Sequence, residues 1–241
     1  MIIRENTIKA LDVSAKFQID SETAKYNPEN LIFFDLEHYV YKKPKCIGVF
    51  GACIYDKETK ELKVTQYMIE NRYEAVDILY LAKEYFIDMK GKGKDTIVTF
   101  SGNNDFTVIN YLFEKEGIIF DFNTEFNSVD IQKEYEKERL KSIGLKNLEK
   151  QFGIIRESEL ISGSNLAKTF HKVMKDKDYI SRMPKEKVEK ILLYNEQDVV
   201  NLYKIYVDWK EHIDDDLEIN TVIEIEEIEI EQEEIKTSQN D

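Results

Sequence analysis

"LIFFDLEHYV", residues 31–40, puts two carboxylates, Asp35 and Glu37, at the end of a strongly apolar run. Such a run reads as a buried strand. Strand side chains alternate faces, so residues i and i+2 point the same way. Asp35 and Glu37 then share a face and repel each other. Either a positive partner sits between them or they lie in open water.

The rest of the chain fits one mixed-sheet α/β domain. "CIGVFGACIYD" (46–56) and "ELKVTQYMIE" (61–70) are rich in β-formers, and the turn "DKETK" (56–60) joins them into a hairpin. "EAVDILYLAKEYFIDMK" (74–90) has helical spacing in Ile78, Leu81, Tyr85 and Ile87. "DTIVTFSG" (95–102) is a second core strand, and "DFTVINYLFEKEG" (105–117) is a helix stopped by Gly117. "NSVDIQKEY" (127–135) runs from a short strand into a helix, and "SIGLKNLEKQFGI" (142–154) is a short helix closed by Gly153. Helices follow at 166–175 and 184–210, the latter opened by Pro184. A hairpin first, then strands alternating with helices, predicts a mixed sheet flanked by helices. Three parts are expected: an N-terminal extension (1–30, with no regular pattern assigned), the domain (31–212) and an acidic tail (213–241).

The formal net charge of −14 is unevenly spread. Residues 213–241 hold twelve acidic residues and one Lys, a net of −11, which leaves −3 on the remainder. The tail reads as disordered. The alternation in "VIEIEEIEIE" also suits docking on a protein partner through Ile223, Ile225, Ile228 and Ile230. The nearly balanced body has room for local basic patches at "YKKPK" (41–45), "KGKGK" (90–94) and "KDK" (175–177), each of which alone reads as a solvated turn. No stretch approaches the ~20 apolar residues of a membrane span. No signal peptide is expected, and Cys46 and Cys53 read as reduced, buried thiols on opposite faces of one strand. The expected location is the cytoplasm.

Four acidic positions fit one chemical task. Asp35 and Glu37 end the first strand, Asp105 follows the second core strand, and Asp198 lies in the last helix. Tyr194, four residues before Asp198, shares its helix face. Two divalent cations ~3.5–4 Å apart activate a water and stabilise the leaving oxygen of a phosphodiester. Holding them takes several hard oxygen ligands, and Mg²⁺ or Mn²⁺ suits carboxylates. Each signal alone has a plainer reading: a solvated strand end for Asp35 and Glu37, an N-cap for Asp105, a surface pair for Tyr194 and Asp198. Their conjunction on these elements favours the metal site. Asp130 reads as an N-cap for its helix at least as readily as a residue near the site. His38 reads as structural and His171 and His212 as surface residues. Lys146 and Arg156 read as surface charges before phosphate contacts, Phe33, Phe34 and Tyr39 as core before base-stacking platforms, and Trp209 as a packing residue.

"FDLE" ending a strand, an Asp after a later strand, and the Tyr-x-x-x-Asp of "YNEQD" resemble the DEDDy group of 3′–5′ exonucleases on the ribonuclease H-like fold. "SVDIQKEYEKERLKSIGLKNLEKQFGIIRESELISG" with "ILLYNEQDVVNLYKIY" looks closest to the YprB-like predicted exonucleases. The resemblance covers about residues 30–208. It implies a ribonuclease H-like sheet, Asp35, Glu37, Asp105 and Asp198 as ligands of two Mg²⁺ or Mn²⁺ ions, and Tyr194 as the residue that orients or deprotonates the attacking water. The sibling group carries His where this chain has Leu193, which favours the Tyr type. At the second motif many relatives read Asn-Gly-x-x-Phe-Asp, whereas this chain reads "FSGNNDF". The register there is shifted, and Asn103 or Asn104 would line the site and touch substrate. The implied partner is nucleic acid with a single-stranded 3′ end. The alternatives are a catalytically inactive binding module for nucleic acid or protein, and an endonuclease on the same fold.

Overall fold

The structure is a computed structural model and describes residues 1–10, 19, 27–157 and 161–213. The disordered and partner-docking readings of the acidic tail fall on 214–241, outside the described residues.

Among the described residues, β1 (Ile2–Lys9), β2 (Leu31–Tyr41), β3 (Lys43–Asp56), β4 (Glu61–Met68), β5 (Thr96–Thr99) and β6 (Asn127–Asp130) form one sheet in the order β1-β4-β3-β2-β5-β6. β2, β5 and β6 run parallel, and β1, β4, β3 and β2 pair antiparallel. The helices are α1 (Asp77–Gly91), α2 (Asn103–Lys115), α3 (Phe122–Glu125), α4 (Ile131–Arg139), α5 (Leu145–Gln151), α6 (Gly163–Lys175) and α7 (Lys185–Val207). The mixed sheet flanked by helices is the architecture expected from the alternation of strand and helix signals. No helix among the described residues is long and apolar enough to cross a membrane.

β2 is buried on both faces, which is why its sequence reads as a continuous apolar run. Ile32, Phe34 and Leu36 join a core built with α1, α2 and α6. Leu31 and Phe33 join a second core with α4, α5 and the second half of α7. Cys46 and Cys53, both buried and free, fall in different cores, as their spacing on β3 requires. Trp209 packs against Phe152 with ring centroids 6.0 Å apart.

The segment read as an N-terminal extension contributes a strand. β1 pairs with β4 from Ile2↔Met68 to Lys9↔Glu61 and forms one edge of the sheet. Its more buried positions are Ile2, Arg4, Asn6 and Ile8. Two of the four are polar because they meet α7: Asn6 donates to Glu196 at 2.9 Å and Arg4 pairs with Glu189 at 3.0 Å. That face therefore shows no apolar alternation in the sequence. At the other end, Ile213 is buried, and its carbonyl accepts from Arg139 at 2.6 Å. Along α1 the stripe is also turned from the one read in sequence. Ile78, Ala82, Phe86 and Met89 are buried with Tyr85, whereas Ile87 is 51% exposed.

Candidate metal centre

The position of the site follows from unequal strand lengths. β5 pairs with β2 only as far as Phe33↔Val98. β2 continues beyond it, so Asp35 and Glu37 stand past the carboxyl end of the neighbouring strand. Ligand sites of open α/β sheets collect at such ends. The chain leaves β5 through a turn in which Ser101 has φ +57°. Asp130 pins that turn by accepting from the Ser101 N–H at 2.9 Å and the Gly102 N–H at 3.2 Å, while it also caps α4 through the Gln132 N–H at 3.1 Å. The N-cap reading of Asp130 is right, and the residue also fixes the entry to α2. Gly102 precedes the helix, so Asp105 falls in the first turn of α2 and is buried. It is not the N-cap.

On the other side, α7 carries Asp198 and Tyr194, both buried. Asp35, Glu37 and Asp198 each offer one carboxylate oxygen, and these oxygens lie within 4.8 Å of one another. Asp105 stands outside that set but is close enough for its charge to act on Glu37. Asn103 and Asn104 are exposed on the same turn as Asp105, and Asn103 accepts from Lys133 at 3.2 Å.

The electrostatics are those of crowded, desolvated carboxylates. Burial raises Asp35 to about 6, opposed by a hydrogen bond from Asn195 and the charge of Arg156. Glu37 is pushed well above the carboxylate range, first by burial and then by Asp35, Asp198 and Asp105. Asp105 and Asp198 are raised for the same reasons, burial foremost. The Tyr194 hydroxyl is also pushed up, by burial and then by Asp198 and Glu37.

Three more side chains adjoin the site: Arg156 and Lys146, expected on the surface, and Asn195, which the sequence does not single out. Arg156 is not a surface charge, since its side chain is only 6% exposed. Its guanidinium bonds Glu149 at 2.7 and 2.6 Å and also bonds Asp198. Lys146 is not a free surface charge either: it donates to the Ile161 carbonyl at 2.9 Å. Lys146 and Arg156 each lie 5.1 Å from the Tyr194 ring centroid. Asn195, fully buried, donates to Asp35 at 3.0 Å and accepts from Gln66 at 2.8 Å. Its side chain occupies the space over Gly51, where a Cβ would come within 2.1 Å of Asn195 Oδ1. Of the histidines, His171 is hydrogen-bonded to Tyr39, and His212 lies 4.7 Å from the Phe152 ring, both half-buried rather than on the open surface.

Three converging carboxylates with a fourth nearby make an all-oxygen pocket that, once ionised, is crowded with negative charge. Arg156 offsets only one of those charges. Such a donor set fits a hard divalent cation. A parallel-antiparallel sheet with carboxylates beyond the end of its central strand defines the class: an α/β domain built around a site able to hold metal. A family model described as RNase_H superfamily matches residues 32–210, and the chain belongs to that superfamily. No curated protein matches the chain.

Proposed function

We propose that the protein is a metal-dependent nuclease that removes nucleotides from a single-stranded 3′ end. The observation that carries this reading is the convergence of Asp35, Glu37 and Asp198 within 4.8 Å, although Asp35 and Asp198 lie far apart in the sequence. Asp35, Glu37 and Asp198 would hold Mg²⁺ or Mn²⁺, with Asp105 completing the set. Two such cations, when bound, activate a water and neutralise charge on the leaving oxygen. Asn195 fixes the Asp35 carboxylate by its hydrogen bond. Arg156 fixes Asp198 and is itself fixed by Glu149. Without metal, burial and then the charges of Asp198 and Glu37 push the Tyr194 hydroxyl up. Beside bound cations, whose charge acts the other way, Tyr194 would orient or deprotonate the attacking water. Asn103 and Asn104, exposed beside Asp105, would touch substrate.

One observation favours a second reading, a nucleic-acid binding module without turnover: Asp198 already has an internal cation partner in Arg156. A 5′-labelled single-stranded oligonucleotide with Mn²⁺ separates the two. A ladder of products shortened from the 3′ end is expected. An internal cut would make the protein an endonuclease, and binding without cleavage would leave the second reading.

A further inference from the structure

Two of the three basic segments, "YKKPK" and "KDK", meet in space, far apart as they are in the chain. The third, "KGKGK", is absorbed structurally: Lys90 pairs with Glu125, Lys92 pairs with Asp88, and Lys94 is buried against the Tyr55 carbonyl. The meeting place is an open groove of about 730 Å³ between the β2–β3 turn, α2 and α6. Tyr39, Tyr41 and Tyr111 line it together with Lys45, Lys115 and Lys175. Tyr41 is 59% exposed. Lys43 lies 5.8 Å from the Tyr111 ring centroid. His171 holds the Tyr39 hydroxyl. Lys115 is paired with Glu116, but among the described residues neither Lys45 nor Lys175 enters a salt bridge. A second basic surface, with Lys172, Arg182 and Lys187, adjoins it through Lys175.

Two walls of the groove lead away from the metal centre. On β2, Tyr39 and Tyr41 follow Glu37 by two and four residues, about 7 and 13 Å along a strand. On α2, Tyr111 and Lys115 follow Asp105 by six and ten residues, about 9 and 15 Å along a helix. The body of the chain has a slight excess of acid, yet cations and aromatic rings collect on this one path. Aromatic faces that stack bases, set among lysines that follow the phosphates, are the chemistry of single-strand binding.

We propose that this groove, between Tyr41, Tyr111, Lys45 and Lys175, carries the single strand that enters the metal centre. The proposal rests on the nuclease reading and adds the substrate path. Bases stack on Tyr41 and Tyr111, and Lys45 and Lys175 neutralise phosphates.

The test is fluorescence anisotropy with fluorescein-labelled oligodeoxythymidylate and oligouridylate, using the full chain in EDTA so that nothing is cleaved. Lys45→Gln with Lys175→Gln is expected to weaken binding about 10-fold at low salt. It should also flatten the log-affinity against log-salt slope by about 1.4, two phosphate contacts on a single strand. Tyr41→Ala is expected to cost at least about 5-fold with the slope unchanged, since stacking is not ionic. The two oligomers report whether the groove distinguishes RNA from DNA. Hydrolysis of thymidine 5′-(4-nitrophenyl phosphate) with Mn²⁺ reads the metal centre alone, because so small an ester does not extend to Tyr41, about 13 Å from Glu37 along the strand, and all variants should match wild type there. Variants that bind both oligomers as wild type does, or a wild type that binds neither, would overturn the groove. An ester left intact by wild type would instead sink the nuclease reading.

Discussion

Arg156 is hydrogen-bonded to Asp198 although 42 residues separate them, and the same guanidinium grips Glu149. The candidate metal centre therefore contains a fixed cation as well as its carboxylates. Among the described residues, Arg156→Ala leaves the 2%-exposed Glu149 with the Asn201 amide, at 2.9 Å. Breaking one side of a buried pair costs about 3–5 kcal/mol. Urea denaturation should show a loss of that order, with Arg156→Lys intermediate because an ammonium cannot reproduce the planar fork. A loss under about 1 kcal/mol would mean that water screens the pair.

Metal-free protein is expected to be more stable at pH 5 than at pH 8. Burial raises Asp35 to about 6 and lifts Glu37, Asp105 and Asp198 above the ordinary carboxylate range. In the unfolded chain these groups titrate near ~4. Above that value the folded state holds more protons than the unfolded state, so stability falls as pH climbs from about 4 through 6 and beyond. Saturating Mn²⁺ should reverse the slope, since it binds the deprotonated, folded cluster. Thermal midpoints across this range, with and without Mn²⁺, check both signs. A metal-free midpoint that rises with pH would show that these carboxylates are not penalised by burial.

Asp35→Asn should raise the metal-free melting midpoint and abolish cleavage. The substitution removes one of several crowded charges while keeping an oxygen for the Asn195 amide. A gain of about 1 kcal/mol corresponds to roughly 2–4 °C for a domain of this size. Loss of a metal ligand removes several kcal/mol of charge stabilisation, or more than about 10²-fold in rate. Calorimetric titration with Mn²⁺ should show the site weakened. Unchanged Mn²⁺ affinity would place the ion elsewhere.

Tyr194→Phe is expected to lower turnover about 10²-fold while Mn²⁺ affinity stays within twofold. The ring keeps its contacts with Lys146 and Arg156, and only the hydroxyl is lost. Holding the water in line or taking its proton each contribute about this much. Normal cleavage by the variant would assign Tyr194 to packing alone.

Gly51→Ala should damage the site from the neighbouring strand. Its Cβ would meet Asn195 Oδ1 at 2.1 Å, so Asn195 must move and release Asp35. Overpacking of this kind costs about 1–3 kcal/mol. Weaker Mn²⁺ binding together with a lower melting midpoint is the expected pair of readouts. A variant as stable as wild type, with full affinity, would show that the Asn195 bond does not hold Asp35.

The elements and most of the site were legible because their signals are local. Strand alternation puts Asp35 and Glu37 on one face, and helical spacing does the same for Tyr194 and Asp198. Gly117 and Gly153 adopt positive φ where the sequence ends its helices. Glu149 carried a signal that could have led to Arg156. With Leu145, Leu148 and Phe152 it sits on the apolar stripe of α5, where a buried carboxylate requires a buried cation. Asn195 stood out in the same way, on the face of α7 that bears Ile191, Asp198 and Leu202. What no local pattern contains is the partner. Arg156, Asn195 and Gln66 act through groups from 42 to 160 residues away, and such pairs exist only once α7 lies across the sheet. The same holds for β1, whose polar inner face makes sense only against α7, and for the groove, where two unremarkable lysine turns become one surface. The sequence by itself determined which elements form and which carboxylates face together, because periodicity is a property of neighbouring residues. The tertiary structure decided which charges those carboxylates meet, because charges separated by many residues interact only where folding brings them together and removes the water between them.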